Sequence, residues 1–467
     1  MAYTTIKKPS DYFNTKLYTG DGSSSRSITN VNFKPDWTWV KSRNSSDYDH
    51  MVTDVVRGTP KMLKTNSSAA EDANPGAGGI GSFDSDGFTI AAGSINNTNM
   101  NNNGTTYVGW NWLAAGTAPS NTYAVKVVSD SGNKYRFDDF GTNAVTLEIS
   151  EGGTFTFDQS DSSNNGHPLR FATQADGANS SQYTTGVTTN GTPGNAGAYT
   201  RITVAASAPT LFYYCTNHTG MGGQANTPVT NSFSNFAGTI KSNISPNTTS
   251  GFSIVSYTGT GSNASVGHGL NSAPKMIIVK SLGAAESWFV YHADLTSATY
   301  TINLDTTGAQ FSNASTWNST APSSSVFSIG TDTGTNGDGH NIIAYCFADV
   351  QGYSKFGSYT GNGNADGSFI YTGFKPAWVM IKKTNDTHAW RIYDGVRDAH
   401  NLTEKILESN TDNAEATSGT YVLDLVSNGF KLRGNGDGVN GSGQSFIYMC
   451  FAEAPLVGTN NVPCTAR

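Results

Sequence analysis

Charged residues are scarce in this chain of 467 residues. Only 13% of the residues are Asp, Glu, Lys or Arg, and the acidic ones outnumber the basic ones, which gives a formal net charge of -7 at pH 7. No cluster of lysines and arginines interrupts this acidic balance. Because proteins bind nucleic acids chiefly through a basic surface that contacts the phosphates, the composition argues against nucleic acid as the principal partner.

Cysteine and long apolar runs are scarce as well. The 4 cysteines are Cys215, Cys346, Cys450 and Cys464, and their spacing is not that of a disulfide framework. No stretch is apolar over the length that crosses a bilayer, and the opening MAYTTIKKPSDYF contains neither an apolar core nor a cleavage site. We therefore expect a protein that is made in a cytoplasm, without a signal peptide and without membrane insertion.

Glycine and aromatic residues, in contrast, are abundant. The chain contains 52 Gly, 23 Phe, 21 Tyr and 8 Trp. Frequent glycine predicts many turns and few long helices, and aromatic side chains are typical of β-sheet cores. The composition therefore predicts an all-β fold.

Three segments of the chain repeat one pattern, which indicates a duplicated module. Each copy opens with Tyr-Thr-Gly-x-Gly, continues to a Lys at the end of a hydrophobic strand, and closes with a strand rich in aromatic residues. In every copy the opening Tyr precedes the Lys by 23 residues, and the pairs are Tyr18 and Lys41, Tyr257 and Lys280, and Tyr359 and Lys382. Short alternating strands separated by Gly/Asn turns predict that each module is an antiparallel β-sandwich.

The repeats divide the chain into domains. We predict module 1 at residues 1–117, module 2 at 232–352 and module 3 at 353–455, followed by a C-terminal tail at 456–467. Residues 122–227 lack the module pattern, and their alternating stretches predict a separate β domain inserted between modules 1 and 2.

Two further features recur between modules. The sequence DVVRG of module 1 matches DGVRD of module 3, and we interpret the pairs Asp54 with Arg57 and Asp394 with Arg397 as structural pairs that hold a turn. The closing strands of modules 2 and 3 contain Cys346 and Cys450, which we interpret as core residues at the place where module 1 has Trp110. The tryptophans on the repeat pattern are likewise interpreted as core rather than as a platform for sugars.

The inserted domain contains a candidate copper site. Cys215, His218 and Met221 follow one another with C-x2-H-x2-M spacing after the apolar strand TLFYYC. Thiolate, imidazole and thioether are the ligand types of a type 1 copper site, which also requires a second imidazole. His167, in SNNGHPLRF, is the only other histidine of this domain and would supply it.

With this order of ligands, the inserted domain resembles the cupredoxin family of Greek-key β-sandwiches, which includes plastocyanin and amicyanin. The resemblance implies that His167, Cys215 and His218 are equatorial copper ligands and that Met221 is the axial one. One residue departs from the family pattern, because Pro168 stands where many cupredoxins have an Asn that ties the two ligand loops together. The alternative interpretation is structural: Cys215 is a small core residue, and the HTGMGG segment is a glycine turn in which Met221 fills space.

Catalytic patterns are not found elsewhere in the sequence. His268 and His388 are isolated, and no Ser-His-Asp arrangement, carboxylate pair or phosphate-binding loop emerges. We therefore expect that the protein is not an enzyme.

Taken together, the stretches DYFNTKLYTGDG, FKPDWTWVK, DVVRG and YYCTNHTGMGG resemble virion structural proteins of marine tailed phages, including cyanophages. The resemblance implies a particle component of the tail-fibre type that contacts other virion proteins and the bacterial host surface, and that forms a homo-oligomer, with a trimer favoured. It also implies localisation in the virion. The alternative is a copper-binding redox or copper-sequestering protein that uses the β modules as a scaffold.

Overall fold

The protein is all-β, as its composition predicts. The computed structural model describes residues 3–95, 99–116, 119–458 and 463–465, so that residues 1, 2, 96–98 and 117 of the predicted module 1 and part of the predicted tail lie outside the described residues. Helices in the described part of the chain are single turns or short 3-10 segments. They are α1 (Ala314–Trp317), α2 (Thr333–Asn336), α3 (Asp437–Asn440) and the 3-10 helices Pro9–Asp11, Ser162–Asn164 and Ala175–Ser180.

Module 1 consists of a larger and a smaller antiparallel sheet. Its strands are β1 (Phe13–Thr19), β2 (Ser25–Ile28), β3 (Trp37–Ser42), β4 (Met51–Asp54), β5 (Leu63–Lys64), β6 (Gly79–Asp84), β7 (Gly87–Ala91) and β8 (Thr106–Trp112). The larger sheet has the order β1-β8-β3-β4-β5, and the smaller one has the order β2-β7-β6.

The inserted domain contains two five-stranded sheets. Its strands are β9 (Ser120–Ser129), β10 (Asn133–Phe137), β11 (Leu147–Glu148), β12 (Thr154–Asp158), β13 (Leu169–Ala172), β14 (Gln182–Tyr183), β15 (Val187–Asn190), β16 (Tyr199–Thr203), β17 (Leu211–Cys215) and β18 (Gly223–Asn226). The sheet orders are β10-β9-β12-β16-β15 and β11-β18-β17-β13-β14. Strands that follow one another in the sequence pair at four places, whereas β9 with β12 and β11 with β18 are distant in sequence and pair in parallel.

Module 2 has the largest sheet. Its strands are β19 (Phe233–Asn235), β20 (Ser242–Asn247), β21 (Phe252–Thr258), β22 (Ala264–Gly267), β23 (Met276–Ser281), β24 (Phe289–His292), β25 (Tyr300–Asn303), β26 (Phe311–Ser312), β27 (Val326–Ile329) and β28 (Asn341–Phe347). The eight-stranded order is β19-β20-β21-β28-β23-β24-β25-β26, with β22 paired to β27 in a second sheet. Strands β19 and β20 extend this sheet beyond the strand that opens the module.

Module 3 repeats the arrangement of module 1. Its strands are β29 (Ser354–Thr360), β30 (Phe369–Tyr371), β31 (Phe374–Lys383), β32 (Arg391–Asp394), β33 (Lys405–Glu408), β34 (Ala416–Thr417), β35 (Leu423–Val426), β36 (Gly429–Leu432) and β37 (Ser445–Pro455). The sheet orders are β29-β37-β31-β32-β33-β34 and β30-β36-β35.

The three modules share one strand register. In each, the opening strand pairs with the closing strand, which pairs in turn with the strand that carries the repeated lysine. The lysines face equivalent closing-strand residues, and the pairs are Lys41 with Val108, Lys280 with Ile343 and Lys382 with Ile447. The equivalence of the lysine positions that the 23-residue spacing predicted is thereby confirmed.

The register corrects one alignment made from the sequence. Thr38 faces Asn111 in module 1, and the equivalent positions of the closing strands in modules 2 and 3 are Cys346 and Cys450. The cysteines therefore correspond to Asn111 and not to Trp110, which is one residue away and points to the opposite face of the sheet. Both cysteines are fully buried, as expected of core residues.

Each lysine-bearing strand is buried on both faces, because each larger sheet is covered on two sides. In module 1, Val40 belongs to the cluster between the two sheets of the module, whereas Trp37 and Trp39 enter a cluster to which all three modules contribute. In module 3, Val379 and Trp378 divide in the same way between the module's own cluster and the shared one. The shared cluster, which we call the central core, joins the modules into one body.

Polar contacts around the central core follow a cyclic order. The ammonium group of each repeated lysine donates a hydrogen bond to a backbone carbonyl of a neighbouring module. The pairs are Lys41 with Asp412 at 2.9 Å, Lys280 with Ser68 at 3.0 Å and Lys382 with Thr307 at 2.9 Å. Module 1 thus contacts module 3, module 3 contacts module 2, and module 2 contacts module 1, which closes a ring.

A set of backbone hydrogen bonds repeats the cycle. The N–H groups of Glu71, Gln310 and Glu415 donate to the carbonyls of Leu282, Thr384 and Arg43, respectively, at 2.9, 2.8 and 2.7 Å. The donors follow the equivalent strands β5, β25 and β33, and each acceptor lies two residues after the repeated lysine. The lysine and this loop therefore form a two-part contact that occurs at all three interfaces.

The paired aspartates and arginines also reach across the interfaces. The Asp54 and Arg57 side chains form the expected ion pair, and Asp54 accepts a hydrogen bond from the Tyr345 hydroxyl of module 2 at 2.7 Å. Asp394, paired with Arg397, accepts from the indole N–H of Trp110 in module 1 at 3.1 Å. In module 2 the same position is occupied by His292, whose Nε2 lies 3.3 Å from the Tyr448 carbonyl of module 3.

The inserted domain packs on module 2. Its core and the core of module 2 form one hydrophobic cluster, in which Phe236 contacts the rings of Tyr123 and Phe137. The Tyr123 hydroxyl donates to the Ser234 carbonyl at 2.8 Å, and the Lys241 ammonium donates to the Thr146 carbonyl at 2.7 Å. These contacts place the domain on strands β19 and β20, the two strands that extend the sheet of module 2.

Replacing Lys280 by Met tests the ring contact. The ammonium group donates to the carbonyls of Ser68, Ala284 and Glu286, and Met leaves these three acceptors without their donor. We expect the free energy of unfolding of the full-length protein to fall by about 1–3 kcal/mol, measured by urea denaturation. Lys7→Met changes an exposed lysine in the same way and serves as the control. Equal stability of the two variants would contradict the role assigned to Lys280.

Candidate metal centre

Two adjacent strands bring the predicted copper ligands of the inserted domain together. Strands β13 and β17 are antiparallel neighbours, and Leu169 faces Cys215. His167 lies two residues before Leu169, and His218 lies three residues after Cys215. The loops that carry both histidines therefore emerge at the same end of the sheet.

His167, Cys215 and His218 form a compact group. The Cys215 Sγ atom lies 3.8 Å from Nδ1 of His167 and 3.6 Å from Nδ1 of His218. The two imidazole rings are 4.5 Å apart between centroids, and one ligand atom from each of the three residues can be chosen so that all three lie within 4.8 Å of one another. The sulfur is buried, His167 is partly buried and His218 is exposed.

These distances match those between the ligands of one metal ion. Bonds of about 2.0 Å to nitrogen and about 2.3 Å to sulfur, at tetrahedral or trigonal angles, separate the nitrogen and the sulfur by about 3.5–3.7 Å. A thiol carries a single proton and can donate it to only one imidazole. The sulfur can also accept a hydrogen bond from the second imidazole, so the approach of two δ nitrogens fits a hydrogen-bonded group as well as a shared cation.

Met221, the fourth predicted ligand, lies in the interior of the inserted domain. Its side chain is 1% exposed and belongs to the same hydrophobic cluster as Cys215. Its carbonyl accepts a hydrogen bond from the Tyr135 N–H at 2.9 Å, which ties the end of the ligand loop to strand β10. Burial of Met221 agrees with both sequence interpretations, that of an axial ligand and that of a space-filling residue.

Buried side chains hold the backbone at His167. The Tyr135 hydroxyl and the Gln159 amide both donate to the His167 carbonyl at 2.9 Å. The Gln159 side-chain oxygen accepts from the Leu169 N–H at 3.1 Å. The buried Gln159 amide therefore bonds to the residues on both sides of Pro168, namely His167 and Leu169. The imidazole is thus carried by a segment whose carbonyl is fixed from two sides.

A side chain between Cys215 and His218 ties the two ligand loops together. The Asn217 amide donates to the Gly166 carbonyl, next to His167, at 2.9 Å. The Thr216 N–H donates to the Pro168 carbonyl at 3.2 Å. Pro168 lacks the N–H and the side-chain amide that the sequence comparison with cupredoxins leads one to expect, but Asn217 connects the same loops from the opposite side.

Glycine makes the turn of the ligand loop possible. A Cβ atom at Gly222 would lie 1.7 Å from the Tyr213 carbonyl oxygen, a distance that no side chain tolerates. The Gly220 N–H is held by the Asp176 carboxylate, with oxygen distances of 2.9 and 3.0 Å. The loop that carries His218 and Met221 is therefore fixed at its glycine end.

The electrostatic setting favours neutral imidazole at His167. Burial, followed by the nearby His218, lowers the pKa of His167 below its usual value. A metal ligand must be the neutral ring, so this shift keeps the nitrogen lone pair available at neutral pH. At Tyr135, burial and the adjacent Cys215 raise the pKa of the hydroxyl, which stays protonated and continues to donate to the His167 carbonyl.

The sequence pointed to the three residues that the structure brings together but not to the residues that hold them in place. The order His, Cys, His, Met pointed to the first group, whereas Gln159 and Asn217 belong to no motif and are recognised only from their hydrogen bonds. Asn217 could have been suspected from its position inside the C-x2-H spacing. The remaining cysteines lie apart from this site, and none of the helices that the structure describes is long and apolar enough to cross a membrane.

Comparison with known proteins addresses the modules rather than the candidate site. Searches of curated proteins and of solved structures found no match. A family described as Domain of unknown function (DUF7483) matches residues 8–152 and 224–455. The unmatched interval contains His167, Cys215, His218 and Met221, so the ligand group lies outside the part that defines the family. Because the match covers most of the chain, including all three lysine-bearing strands, the protein belongs to the DUF7483 family.

Proposed function

We propose that the protein is a structural component of a tailed-phage particle, exposed at the particle surface as in a tail fibre, and that its inserted domain binds one copper ion. The copper part is supported by a single observation: the sulfur of Cys215 lies 3.6 and 3.8 Å from the δ nitrogens of two histidines. The particle part rests on the resemblance of the module motifs to marine phage virion proteins.

The ligand chemistry favours copper over harder cations. Thiolate and imidazole, with a thioether nearby, are soft and borderline ligands, whereas calcium and magnesium require oxygen. When bound, copper would supply a one-electron redox couple at His167, Cys215 and His218. The surrounding chain would hold the two imidazoles and the sulfur in place through Gln159 and Asn217.

The ring of modules suits a structural role. Three modules close on one another through a central core and repeated interface contacts, which gives a rigid body to carry exposed loops. Contacts with other virion proteins, attachment to a bacterial host surface and assembly into a homotrimer are parts of this proposal. The threefold contacts described above lie within one chain, and a trimer of chains would be a further level of assembly.

A copper-binding redox or copper-sequestering protein is the alternative. It is favoured by the exposure of His218, which places one of the two imidazoles near the buried Cys215 at the protein surface. An exposed imidazole of this kind would allow an electron to enter or leave the copper site without a change in the fold. A reversible copper potential together with electron exchange with a small redox protein would support this alternative.

Copper binding is tested by the visible spectrum of the full-length protein. Addition of Cu(II) should produce a thiolate-to-copper charge-transfer band, because Cys215 would be a ligand. Cys215→Ser should remove the band, whereas Cys464→Ser, which changes a cysteine remote from the site, should retain it. The absence of a band in the parent protein, or an unchanged band in Cys215→Ser, would overturn the copper assignment.

The loop tie is tested by Asn217→Ala. Loss of the hydrogen bond to the Gly166 carbonyl should let the two ligand loops separate and lower the copper affinity by about 10- to 100-fold, as found for other residues that orient ligands. Competitive titration with a copper chelator measures the change. Thr219→Ala changes an exposed residue of the same loop, keeps the Asn217 bond and should bind as the parent does; equal affinity of all three proteins would show that Asn217 does not orient the site.

The particle assignment is tested on purified virions. Mass spectrometry should detect the chain at a fixed copy number, and density from electron microscopy should contain the ring of three modules at the surface. Detection of the chain only in the lysate, and not in particles, would contradict this assignment while leaving the copper result unaffected.

A further inference from the structure

A cleft with a volume of about 560 Å³ lies between modules 1 and 2. Module 1 contributes the turn that contains Arg57 and the nearby Lys61. Module 2 contributes the sheet formed by β20, β21 and β28 and the loop after β23. The cleft is thus built by an interface that belongs to the fold itself.

One wall of the cleft is a polar continuation of the central core. On strand β21, Phe252 and Ile254 are buried in the central core. Ser256 and Thr258 follow at intervals of two residues and therefore lie on the same face of the strand. Asn243 faces Ser256 across the sheet, and Asn341 faces Thr258. Cross-strand partners share one face, so hydroxyl and amide groups form a row where the apolar surface ends.

The cleft is lined by Lys61, by Lys241 and by the carboxylate of Glu71, which is paired with Arg57. In the described part of the chain, neither Lys61 nor Lys241 takes part in an ion pair; Lys241 donates instead to the Thr146 carbonyl. Burial lowers the pKa of the Lys241 amine, and the Glu148 carboxylate partly offsets this shift, as a further anionic group would. Unpaired cations in a cleft are notable on a protein whose formal net charge is -7.

At the interface of modules 1 and 3, the place that corresponds to this cleft is filled by an ion pair. Leu282 of module 2 is equivalent to Arg43 of module 1, since each lies two residues after the repeated lysine. Arg43 forms a bidentate ion pair with Glu415, with distances of 3.0 and 2.8 Å, at the interface of modules 1 and 3. Leu282 and the exposed Gly283 leave this space open between modules 1 and 2.

We infer that this cleft binds a segment of an acidic oligosaccharide, with carboxylate or sulfate groups at Lys61 and Lys241 and sugar hydroxyls along the row of Asn243, Ser256, Thr258 and Asn341. The size of the cleft exceeds that of a single phosphate, and its apolar lining by Leu282 suits the C–H faces of sugar rings. The inference deepens the surface-attachment part of the proposed function, on which it rests for its biological setting. It does not involve the copper ligands.

Calorimetric titration of the full-length protein tests the inference. The probes are an oligogalacturonate, a sulfated galactan oligosaccharide, a neutral galactan oligosaccharide of the same length, and inorganic phosphate. We expect at least one acidic oligosaccharide to bind, more weakly as salt is raised because the contact is ionic, and the neutral one to bind about tenfold more weakly or not at all. Failure of both acidic probes to bind, or phosphate binding as tightly as they do, overturns the inference.

Two variants locate the binding in the cleft. Lys61→Glu reverses a charge and should weaken binding by about tenfold or more. Gly283→Trp fills the opening, and its Cβ atom meets no other atom within 4 Å, so the fold should accept the side chain. The controls are Lys7→Glu, which makes the same charge change at an exposed site, and Gly419→Trp, which adds the same side chain in other open space.

The outcomes separate this inference from the particle assignment. Weaker binding in both cleft variants and unchanged binding in both controls support the cleft, whether or not the chain is found in virions. Binding that is unchanged in Lys61→Glu and Gly283→Trp places the sugar elsewhere and overturns the assignment of the cleft.

Discussion

A buried ammonium group at each interface is the interaction on which the ring depends. Taking a lysine out of water is costly, and burial lowers the pKa to about 8 for Lys41 and Lys280 and to about 7 for Lys382. The cost is offset only where several acceptors surround the ammonium group, as the three carbonyls around Lys280 do. Since one of these carbonyls always belongs to another module, each lysine is satisfied only when the ring is closed.

This constraint connects the modules to the central core. A sheet with two apolar faces cannot be stable alone in water, because one face would stay exposed. In each module the smaller sheet covers one face, and the other two modules cover the second. The strands around Trp37, Met276 and Trp378 are therefore apolar on both sides, and the lysine at the end of each strand sets how the neighbouring module is placed.

The three modules and their lysines could be predicted because the same sequence pattern occurs three times. A 23-residue spacing between Tyr and Lys located the three lysines, and the order of four ligand types located the group around Cys215. Closure of the ring was not predictable in the same way, because the acceptors at Asp412, Ser68 and Thr307 are backbone carbonyls, which have no sequence signature. The alignment of the closing strands was also wrong by one residue, because Cys346 was aligned with Trp110 and the register makes it equivalent to Asn111.

Within the group around Cys215, the three residues that the structure brings together were predictable, and the residues that hold them in place were not. A ligand is recognised by its chemical type, whereas Gln159 and Asn217 act through amides that occur throughout the chain. Pro168 shows why a motif comparison alone is insufficient at this point. It removes one means of joining the two ligand loops, and the structure supplies another from a residue that the comparison does not consider.

Module 2 shows how a closed ring can acquire new sites. At the position of Asp54 it has His292, at the position of Arg57 it has Leu295, and burial lowers the pKa of His292 to about 4, so that a neutral ring contacts the Tyr448 carbonyl in place of an ion pair. Its sheet is also the one extended by β19 and β20, which carry the inserted domain on one side and form a wall of the cleft on the other. Because the lysine contact and the central core hold the ring together, one module could lose its ion pair and extend its sheet while the other two kept the original arrangement. Both candidate sites of the protein therefore lie at or beside the module whose interface diverged.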